Sequence, residues 1–539
     1  MTLEIVPLGG LGEFGRNLLW FKCGSSSLVV DAGVSFPDET FPGVDRIAPD
    51  LSALRGARVD AVLLTHGHED HVGALPLLAQ VCDAPVYGFP FTLALAGRRL
   101  EEAGRSSVRL REARPREIYT AGEFRFAFYR VSHSVPDSAA IALEAGGLRL
   151  LHSGDFKLDP DPPDGELTDR EGILAVAAAG IDVALIDSTN AERPGRALSE
   201  RVAGRGLAAA FEEIGGRIVL TTFSSHVARV AQAVEAARAR GRRVGLLGRS
   251  MQAVAEIAER FGRLSLPPGL RVAPGDLARH PPDRLLCVAS GSQGEPFSAL
   301  YRLALDEHAD LKVEAGDVVI FSARTIPGHE RSVNRVTDHL VRRGARVLRE
   351  TEPPVHVSGH AHRDDLAEWL SWISPRAVIP IHGERRMLVA AADVAAAAGI
   401  PRERIYLLDN GDRLTLQQGE GTVEVAAVPA GRVYFDSRPE LVEASVVRDR
   451  RQMAEEGFVV VLVSSVRRDA EIFVVSRGVA GNPEEIGAEV RRATRGVLAR
   501  ATPEEREDPE WLRAEIALAA RRACRRVFDI RPVIVPVVM

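Results

Sequence analysis

The sequence predicts an α/β protein built from several domains, and three observations lead to this prediction. The chain has 539 residues, and its 45% hydrophobic and 26% charged residues are typical of a globular protein with ample core. Short apolar runs that end in polar residues alternate with helical patterns up to about residue 190. From about residue 196, Ala/Arg-rich helical patterns alternate with buried strands, which is typical of parallel βαβ units.

Bulk properties exclude some classes of protein. No apolar run is long enough for a membrane span, and the N-terminus resembles a strand rather than a signal peptide, so we expect a cytoplasmic protein with no membrane partner. The net charge of −6 gives no global signature of nucleic-acid binding, although a local Arg-lined channel is enough to bind phosphates. We expect the four scattered cysteines to be reduced, buried thiols.

The first 35 residues predict antiparallel strands joined by glycine-rich turns. Asp31 ends the apolar run Leu28–Val30 and lies beside Gly33. This position suits a carboxylate that braces a neighbouring loop, and an Asx turn at the strand end explains it equally well.

The most informative stretch is the His-rich tract that follows Ala61–Leu64. It contains His66, His68, Asp70 and His71, and imidazole and carboxylate groups are ligands that zinc and related divalent cations prefer. The spacing does not place these residues on one helix face, so we expect a loop, with a helix that begins at Val72. The tract predicts half of a dinuclear metal site, and the alternative is a solvated His-rich turn.

A dinuclear site needs one further histidine for each cation and a bridging carboxylate. The sequence offers His133, Asp155 and His382, each directly after a predicted strand. Taken alone, such a histidine is more often structural than a ligand. Further strand ends at 221–226, 290–296 and 322–330 are rich in hydroxyl groups, which suit phosphate or ribose but are also ordinary turn residues.

This ordered set resembles the metallo-β-lactamase superfamily. Asp187, His360 and His382 resemble the three further motifs of its β-CASP subgroup, and within that subgroup the chain resembles the ribonuclease J family. The resemblance implies a metallo-β-lactamase αββα sandwich with an inserted β-CASP α/β domain and a small C-terminal α/β domain. The expected boundaries are 1–195 and 355–430 for the two parts of the lactamase domain, 196–354 for the β-CASP domain, 431–446 for a linker and 447–539 for the C-terminal domain.

The resemblance also implies a ligand set for two divalent metal ions, Zn²⁺ or Mn²⁺. One cation would be bound by His66, His68 and His133, the other by Asp70, His71 and His382, with Asp155 as the bridge. Asp31 and Asp187 would orient ligands. His360 would stabilise the phosphorane or protonate the leaving oxygen. The residues expected to act in catalysis are Asp70, His71, His360, Asp187 and Asp31.

The third β-CASP motif here is a histidine, His382, which the resemblance associates with RNA rather than DNA. The resemblance to the ribonuclease J family further implies single-stranded RNA with a 5′-monophosphate as the substrate. The implied activity is 5′-to-3′ exonucleolytic and endonucleolytic cleavage in RNA maturation and decay. The expected substrate contacts are Ser224, Ser225, His226, His356, Val357, Ser358, Gly359 and His360. Residue 226 departs from the family pattern, since many members have an amide side chain there.

Three alternatives carry other functions: a DNA nuclease of the same fold, a small-thioester hydrolase, and an RNA-binding scaffold with a degenerate site. His382 disfavours the first, the predicted insertion disfavours the second, and the complete ligand set disfavours the third.

Two amphipathic helical patterns at 483–499 and 508–528 predict a homodimer or higher homo-oligomer formed through the C-terminal region.

Overall fold

A computed structural model describes residues 2–37, 40–349, 351–417, 420–436, 441–464 and 470–539. The chain divides into two compact units, one formed by residues 1–36 and 48–432 and the other by 37–47 and 433–539. In the ranges that the structure describes, no helix has the length and apolar content that a membrane span requires.

Two mixed sheets face each other in the first unit. The eight-stranded sheet has the spatial order Glu420–Glu424, Arg413–Gln417, Leu3–Gly9, Leu18–Cys23, Ser26–Val30, Ala61–Leu63, Val86–Gly88 and Leu110–Glu112. The six-stranded sheet has the order Ala377–Ile381, Val183–Asp187, Leu148–His152, Ala139–Ala145, Phe124–Arg130 and Tyr119–Ala121. Alternate residues of both sheets, such as Phe21, Leu63, Ile141 and Leu185, form one buried core between them.

Helices cover the outer faces of the two sheets. Trp369 and Leu366 from one helix, together with Ile173 from another, pack on the outer face of the six-stranded sheet. The helices of this sandwich are Glu69–Val72, Leu75–Val81, Pro90–Glu102, Arg170–Ala178, Arg363–Ile373 and Arg385–Ala397. The expected αββα sandwich is confirmed, as are the antiparallel strands of the first 35 residues.

The inserted domain is a fully parallel sheet with helices on both faces. Its strands are, in spatial order, Arg271–Val272, Arg243–Leu247, Leu285–Ala289, Ile218–Thr221, Val318–Phe321 and Arg346–Leu348. Its helices are Glu200–Glu213, Val227–Ala239, Arg249–Arg260, Ala299–Leu305 and Glu330–Arg342. Leu220 and Leu246 belong to the core on one face, and Val219 and Leu247 to the core on the other. This alternation confirms the βαβ prediction.

Over its described residues, the second unit contains a three-stranded sheet and four helices. The strands are Ile472–Arg477, Phe458–Val463 and Val533–Val538 in spatial order, and the helices are Ala444–Glu456, Pro483–Arg500, Pro503–Glu507 and Pro509–Phe528. Val459 and Val461 pack with Leu498 and Ile516 on one face of the sheet. Val44 packs with Val442 and Val447, so a segment from the N-terminal part of the sequence contributes to this unit.

One local prediction was wrong. The predicted loop residues Glu69, Asp70 and His71 form, together with Val72, a short separate helix whose acidic first turn suits the positive end of a helix. The helix predicted to begin at Val72 begins at Leu75 and ends at Val81. Within the expected linker 431–446, residues Arg432–Phe435 form a strand that pairs with Leu441–Val442, and residues 437–440 lie outside the described ranges. A further strand covers Arg46–Pro49. The four cysteines are free thiols.

Candidate metal centre

Parallel strands bring three of the proposed site residues to one sheet edge. Leu148–His152, Val183–Asp187 and Ala377–Ile381 are neighbours that run in the same direction. Their carboxyl ends therefore lie side by side, which places Asp155, Asp187 and His382 together. Asp155 and Asp187 are buried, and so is His382.

The first group of candidate ligands comprises His66, His68 and His133. His68 Nδ1 lies 3.0 Å from His66 Nε2 and 3.3 Å from His133 Nε2. All three ligand atoms lie within 4.8 Å of one another.

The second group comprises Asp70, His71 and His382, and Asp155 joins it to the first. Asp70 Oδ2 lies 3.6 Å from His71 Nε2 and 3.3 Å from His382 Nε2. Asp155 Oδ2 lies 3.2 Å from His71 Nε2 and 3.3 Å from His382 Nε2. The same oxygen is 3.6 Å from His66 Nε2, so Asp155 reaches both groups through one atom.

These spacings fit two bound cations. Ligand atoms about 2.0–2.1 Å from a tetrahedral cation are roughly 3.3 Å from one another. The distances between neighbouring candidate ligand atoms, 3.0 Å to 3.6 Å, centre on that value. Imidazole nitrogens and carboxylate oxygens also match the donors that zinc and manganese accept. The fold brings together all seven residues that the sequence indicated as ligands.

Asp31 braces the tract from the neighbouring strand. Its carboxylate accepts hydrogen bonds from the backbone N–H and the hydroxyl of Thr65, at 2.8 Å and 2.7 Å, and lies 2.7 Å from His71 Nδ1. Asp31 has a left-handed φ of 61°, a conformation that is costly for a non-glycine residue and that the surrounding contacts maintain. At Gly33, a Cβ would lie 1.6 Å from the Asp70 carbonyl oxygen, so glycine is required for this close approach.

The remaining imidazoles also have partners at their second nitrogen. His133 Nδ1 lies 2.8 Å from the Gly359 carbonyl oxygen, and His382 Nδ1 lies 2.6 Å from Thr189 Oγ1. Such contacts fix the ring orientation and leave Nε2 directed to a cation. His360 Nδ1 lies 2.8 Å from Asp187 Oδ2, which orients the His360 ring beside the two groups.

Sequence reasoning missed the hydroxyl and amide side chains that support these groups. Thr65 and Thr189 contact ligand imidazoles, and Asn190 Nδ2 donates to Ser358 Oγ at 2.7 Å. Small polar residues are common at strand ends, and nothing in their local sequence separates a support residue from an ordinary turn. The one available signal is position, since Thr189 and Asn190 come two and three residues after the acidic strand end at Asp187.

The residues expected to contact substrate occupy two places. Ser358 and Gly359 lie in the loop that reaches the ligands, where a Cβ on Gly359 would meet the His133 ring at 2.9 Å. Ser224 Oγ bonds to Ser250 Oγ at 3.0 Å in the inserted domain, where Ser225 follows it. His226 is buried with its Nε2 3.3 Å from Glu200 Oε1. Contact with substrate at either place stays a prediction.

The electrostatics divide the imidazoles into two classes. Burial lowers the pKa of His66 and His133 well below the usual value, and it lowers the pKa of His68 to about 4. Burial opposes protonation of His382 as well, but the Asp155 carboxylate and the hydrogen bond with Asp70 raise its pKa to about 9. Burial is likewise outweighed at His71, where Asp155 raises the pKa well above the usual value.

We expect metal loading to release protons from this site. With raised pKa values, His71 and His382 carry protons at pH 7.5 in the metal-free protein and must lose them to become ligands. Calorimetric titration of metal-free protein with Zn²⁺ at pH 7.5, in two buffers of different ionisation enthalpy, should give about two protons released per chain. The apparent affinity should rise with pH up to about 9. Binding with no proton release at pH 7.5 would contradict the charge assignment.

Comparison with known protein families covers most of the chain. Family models match the metallo-beta-lactamase superfamily at residues 13–204 and the ribonuclease J beta-CASP domain at 215–340. They also match the Zn-dependent metallo-hydrolase RNA specificity domain at 350–407 and the ribonuclease J C-terminal domain at 445–539.

Individual relatives agree with the family models. Ribonuclease J from Mycobacterium tuberculosis is 39% identical over 504 residues, which cover 91% of this chain and 89% of the relative. Ribonuclease J from Thermus thermophilus is 36% identical over 551 residues, which cover 100% of this chain and 95% of the relative. A crystal structure of a protein of unknown function from Enterococcus faecalis shares the fold, with a TM-score of 0.54 at 16% identity over 77% of this chain and 100% of that one. The chain therefore belongs to the ribonuclease J family of metal-dependent ribonucleases.

Proposed function

We propose that this chain hydrolyses single-stranded RNA from the 5′ end and also cuts internally, with a preference for a 5′-monophosphate, in RNA maturation and decay in the cytoplasm. The observation that supports the proposal is that Asp155 Oδ2 lies within 3.6 Å of ligand atoms from both candidate groups. In addition, residues 350–407 match an RNA specificity domain. Two cations this close suit phosphodiester hydrolysis, where charge develops on both the attacking and the leaving oxygen.

The proposed resident cofactor is a pair of divalent metal ions, Zn²⁺ or Mn²⁺. His66, His68 and His133 would hold one, Asp70, His71 and His382 the other, with Asp155 shared. When bound, the cations lower the pKa of water and stabilise charge on the phosphoryl group. The name of the family model at 350–407, which specifies zinc dependence, favours Zn²⁺.

His360 is proposed as the proton donor to the leaving oxygen. Its Nδ1 lies 2.8 Å from Asp187 Oδ2, which orients the ring and leaves Nε2 as the atom that can transfer a proton. The ring centroid lies 4.9 Å from that of His133 and 5.4 Å from that of His382, between the two ligand groups. In the hydrolysis, a water oxygen would attack phosphorus as the P–O3′ bond breaks, and the proton from His360 Nε2 would go to O3′. The proton lost by the attacking water would then restore the protonated His360.

The proposed substrate loop is 356–360, and the proposed second contact is at Ser224 and Ser225. Ser358 Oγ is oriented by Asn190, and its neighbour Gly359 bonds to a ligand imidazole. A phosphate bound by this loop would therefore lie beside the catalytic groups. Because the His226 side chain is buried against Glu200, we assign the second contact to the two serine hydroxyls.

We also propose self-association through the C-terminal unit. One face of its sheet packs on helices, while Phe473, Val475 and Val535 on the strands are exposed. An apolar sheet face of this kind suits burial against a second copy of the chain.

The test of the proposed function compares labelled substrates. We expect 5′-monophosphorylated single-stranded RNA to be degraded from its 5′ end, with slower degradation of 5′-triphosphorylated RNA and little cleavage of DNA or a small thioester. A chelator should abolish the reaction, and Zn²⁺ or Mn²⁺ should restore it. Mapping of products labelled at either end separates exonuclease from endonuclease cleavage. Equal cleavage of DNA, or activity that survives the chelator, would overturn the proposal.

A further inference from the structure

Arg324 lies on the inserted domain and contacts Asn190, which in turn contacts the proposed substrate loop 356–360. It follows the strand Val318–Phe321, its side chain is exposed, and its Nη1 donates to Asn190 Oδ1 at 2.9 Å. Asn190 is buried and donates from Nδ2 to Ser358 Oγ at 2.7 Å. One side chain therefore separates the guanidinium from the loop that carries His360.

The backbone around Arg324 is held in place by a buried amide. Gln293 Nε2 donates to the Arg324 carbonyl oxygen at 2.9 Å, and Gln293 Oε1 accepts from the Ile326 backbone N–H at 2.7 Å. Gln293 is only 3% exposed, so a buried side chain fixes the backbone from Arg324 to Ile326. A guanidinium held in this way loses little conformational freedom when it binds a ligand.

The surroundings of Arg324 carry an excess of positive charge. Partial burial lowers the pKa of Arg324, and the positive charges of Arg193 and Arg386 lower it further. The Glu192 carboxylate acts in the opposite direction. Arg386 is paired with both Glu192 and Glu384. The Arg193 backbone N–H donates to the carbonyl oxygen of Asn190 at 2.9 Å, and Asn190 is the residue that Arg324 contacts. Three guanidinium groups and two carboxylates leave one net positive charge, which attracts anions.

We propose that Arg324 binds a backbone phosphate of the RNA strand next to the catalytic centre, with Arg193 adding to the attraction. The inference rests on the proposed RNA substrate. A planar guanidinium with most of its donors unused suits the two free oxygens of a phosphodiester. Because the arginine is exposed, the strand can continue past it, as an internal phosphate requires and a terminal phosphate does not.

The test is Arg324→Gln, compared with Arg279→Gln as a matched control. Arg279 lies in the same domain, is 80% exposed and pairs with Asp276, so its replacement removes the same charge away from the site. With 5′-monophosphorylated single-stranded RNA, Arg324→Gln should raise KM roughly tenfold and leave metal content unchanged. The slope of log KM against log salt concentration should fall by about 0.7, the value for one phosphate contact on a single strand.

A second substitution tests whether the charge or the geometry of Arg324 matters. Arg324→Lys should keep the salt slope but raise KM by an intermediate amount, because lysine retains the positive charge and loses the planar pair of N–H donors. If Arg324→Gln matches Arg279→Gln in both KM and salt slope, the inference is overturned. It is also overturned if the variant loses only its discrimination between 5′-monophosphate and 5′-hydroxyl RNA, since the site would then bind the strand end. Failure of the wild-type protein to cleave RNA would contradict the proposed function itself.

Discussion

Replacing Asp155 with asparagine is expected to lower RNA cleavage by about 10³-fold or more and to reduce the metal content of the protein. Asp155 Oδ2 is the atom shared by both ligand groups, 3.2 Å from His71 Nε2 and 3.6 Å from His66 Nε2. Asparagine keeps the shape of the side chain but removes the charge that lies between the two cations. Bound cations supply several kcal/mol of transition-state stabilisation, and each 1.36 kcal/mol is a factor of about ten in rate.

The measurement is metal analysis of the purified variant together with cleavage of labelled RNA. Asp161→Asn is the matched control, because Asp161 is six residues further along, is 63% exposed and bonds to Arg201. This control should keep its cations and its activity, since an exposed pair contributes little to stability. If Asp155→Asn keeps two cations and cleaves RNA at the wild-type rate, the assignment of the bridge is incorrect.

A third variant, Asp31→Asn, should lose roughly 10- to 100-fold in RNA cleavage, which is less than the loss for Asp155→Asn and more than that for Asp161→Asn. The reason is that Asp31 acts on the site only through His71.

The candidate ligands were predicted from their places after buried strands together with the family resemblance. Asp155 and His382 are far apart along the chain, yet the ends of the parallel strands that precede them meet at one sheet edge. Strand and helix periodicity predicted the inserted parallel sheet, and the family resemblance predicted the sandwich. The distances came only from the structure, because they depend on how two sheets pack.

Other features could not be predicted because they depend on tertiary contacts. Thr189 and Asn190 are unremarkable turn residues until the fold places them against His382 and Ser358. The predicted role of His226 in substrate binding came from the family resemblance, whereas its burial against Glu200 follows from the packing of two helices. The association of residues 37–47 with the C-terminal unit has no local signal at all.

The second large effect is expected at a buried ion pair that joins the inserted domain to the catalytic loop. Arg229 is completely buried, and its Nε and Nη2 donate to the two carboxylate oxygens of Glu200 at 2.7 Å and 2.9 Å. Its Nη1 donates to Ser322 Oγ at 2.6 Å and to the Val355 carbonyl oxygen at 3.0 Å, directly before the loop 356–360. Burial opposes ionisation of Glu200, but Arg229 and His226 lower its pKa well below the usual value, so the pair is charged at neutral pH.

We expect Glu200→Gln to destabilise the first unit by about 3–5 kcal/mol, because it leaves the Arg229 charge buried without a partner. Arg201→Gln breaks the neighbouring exposed pair with Asp161 and should cost less than about 1 kcal/mol. The double variant Glu200→Gln/Arg229→Met removes both charges and should be more stable than Glu200→Gln alone, since a buried pair can be replaced by apolar groups at little cost. Urea unfolding, together with hydrogen exchange of the helix Val227–Ala239, measures these differences. A Glu200→Gln protein within about 0.5 kcal/mol of the Arg201→Gln control would contradict this account, because an uncompensated charge at a completely buried guanidinium must lower the stability of the folded state.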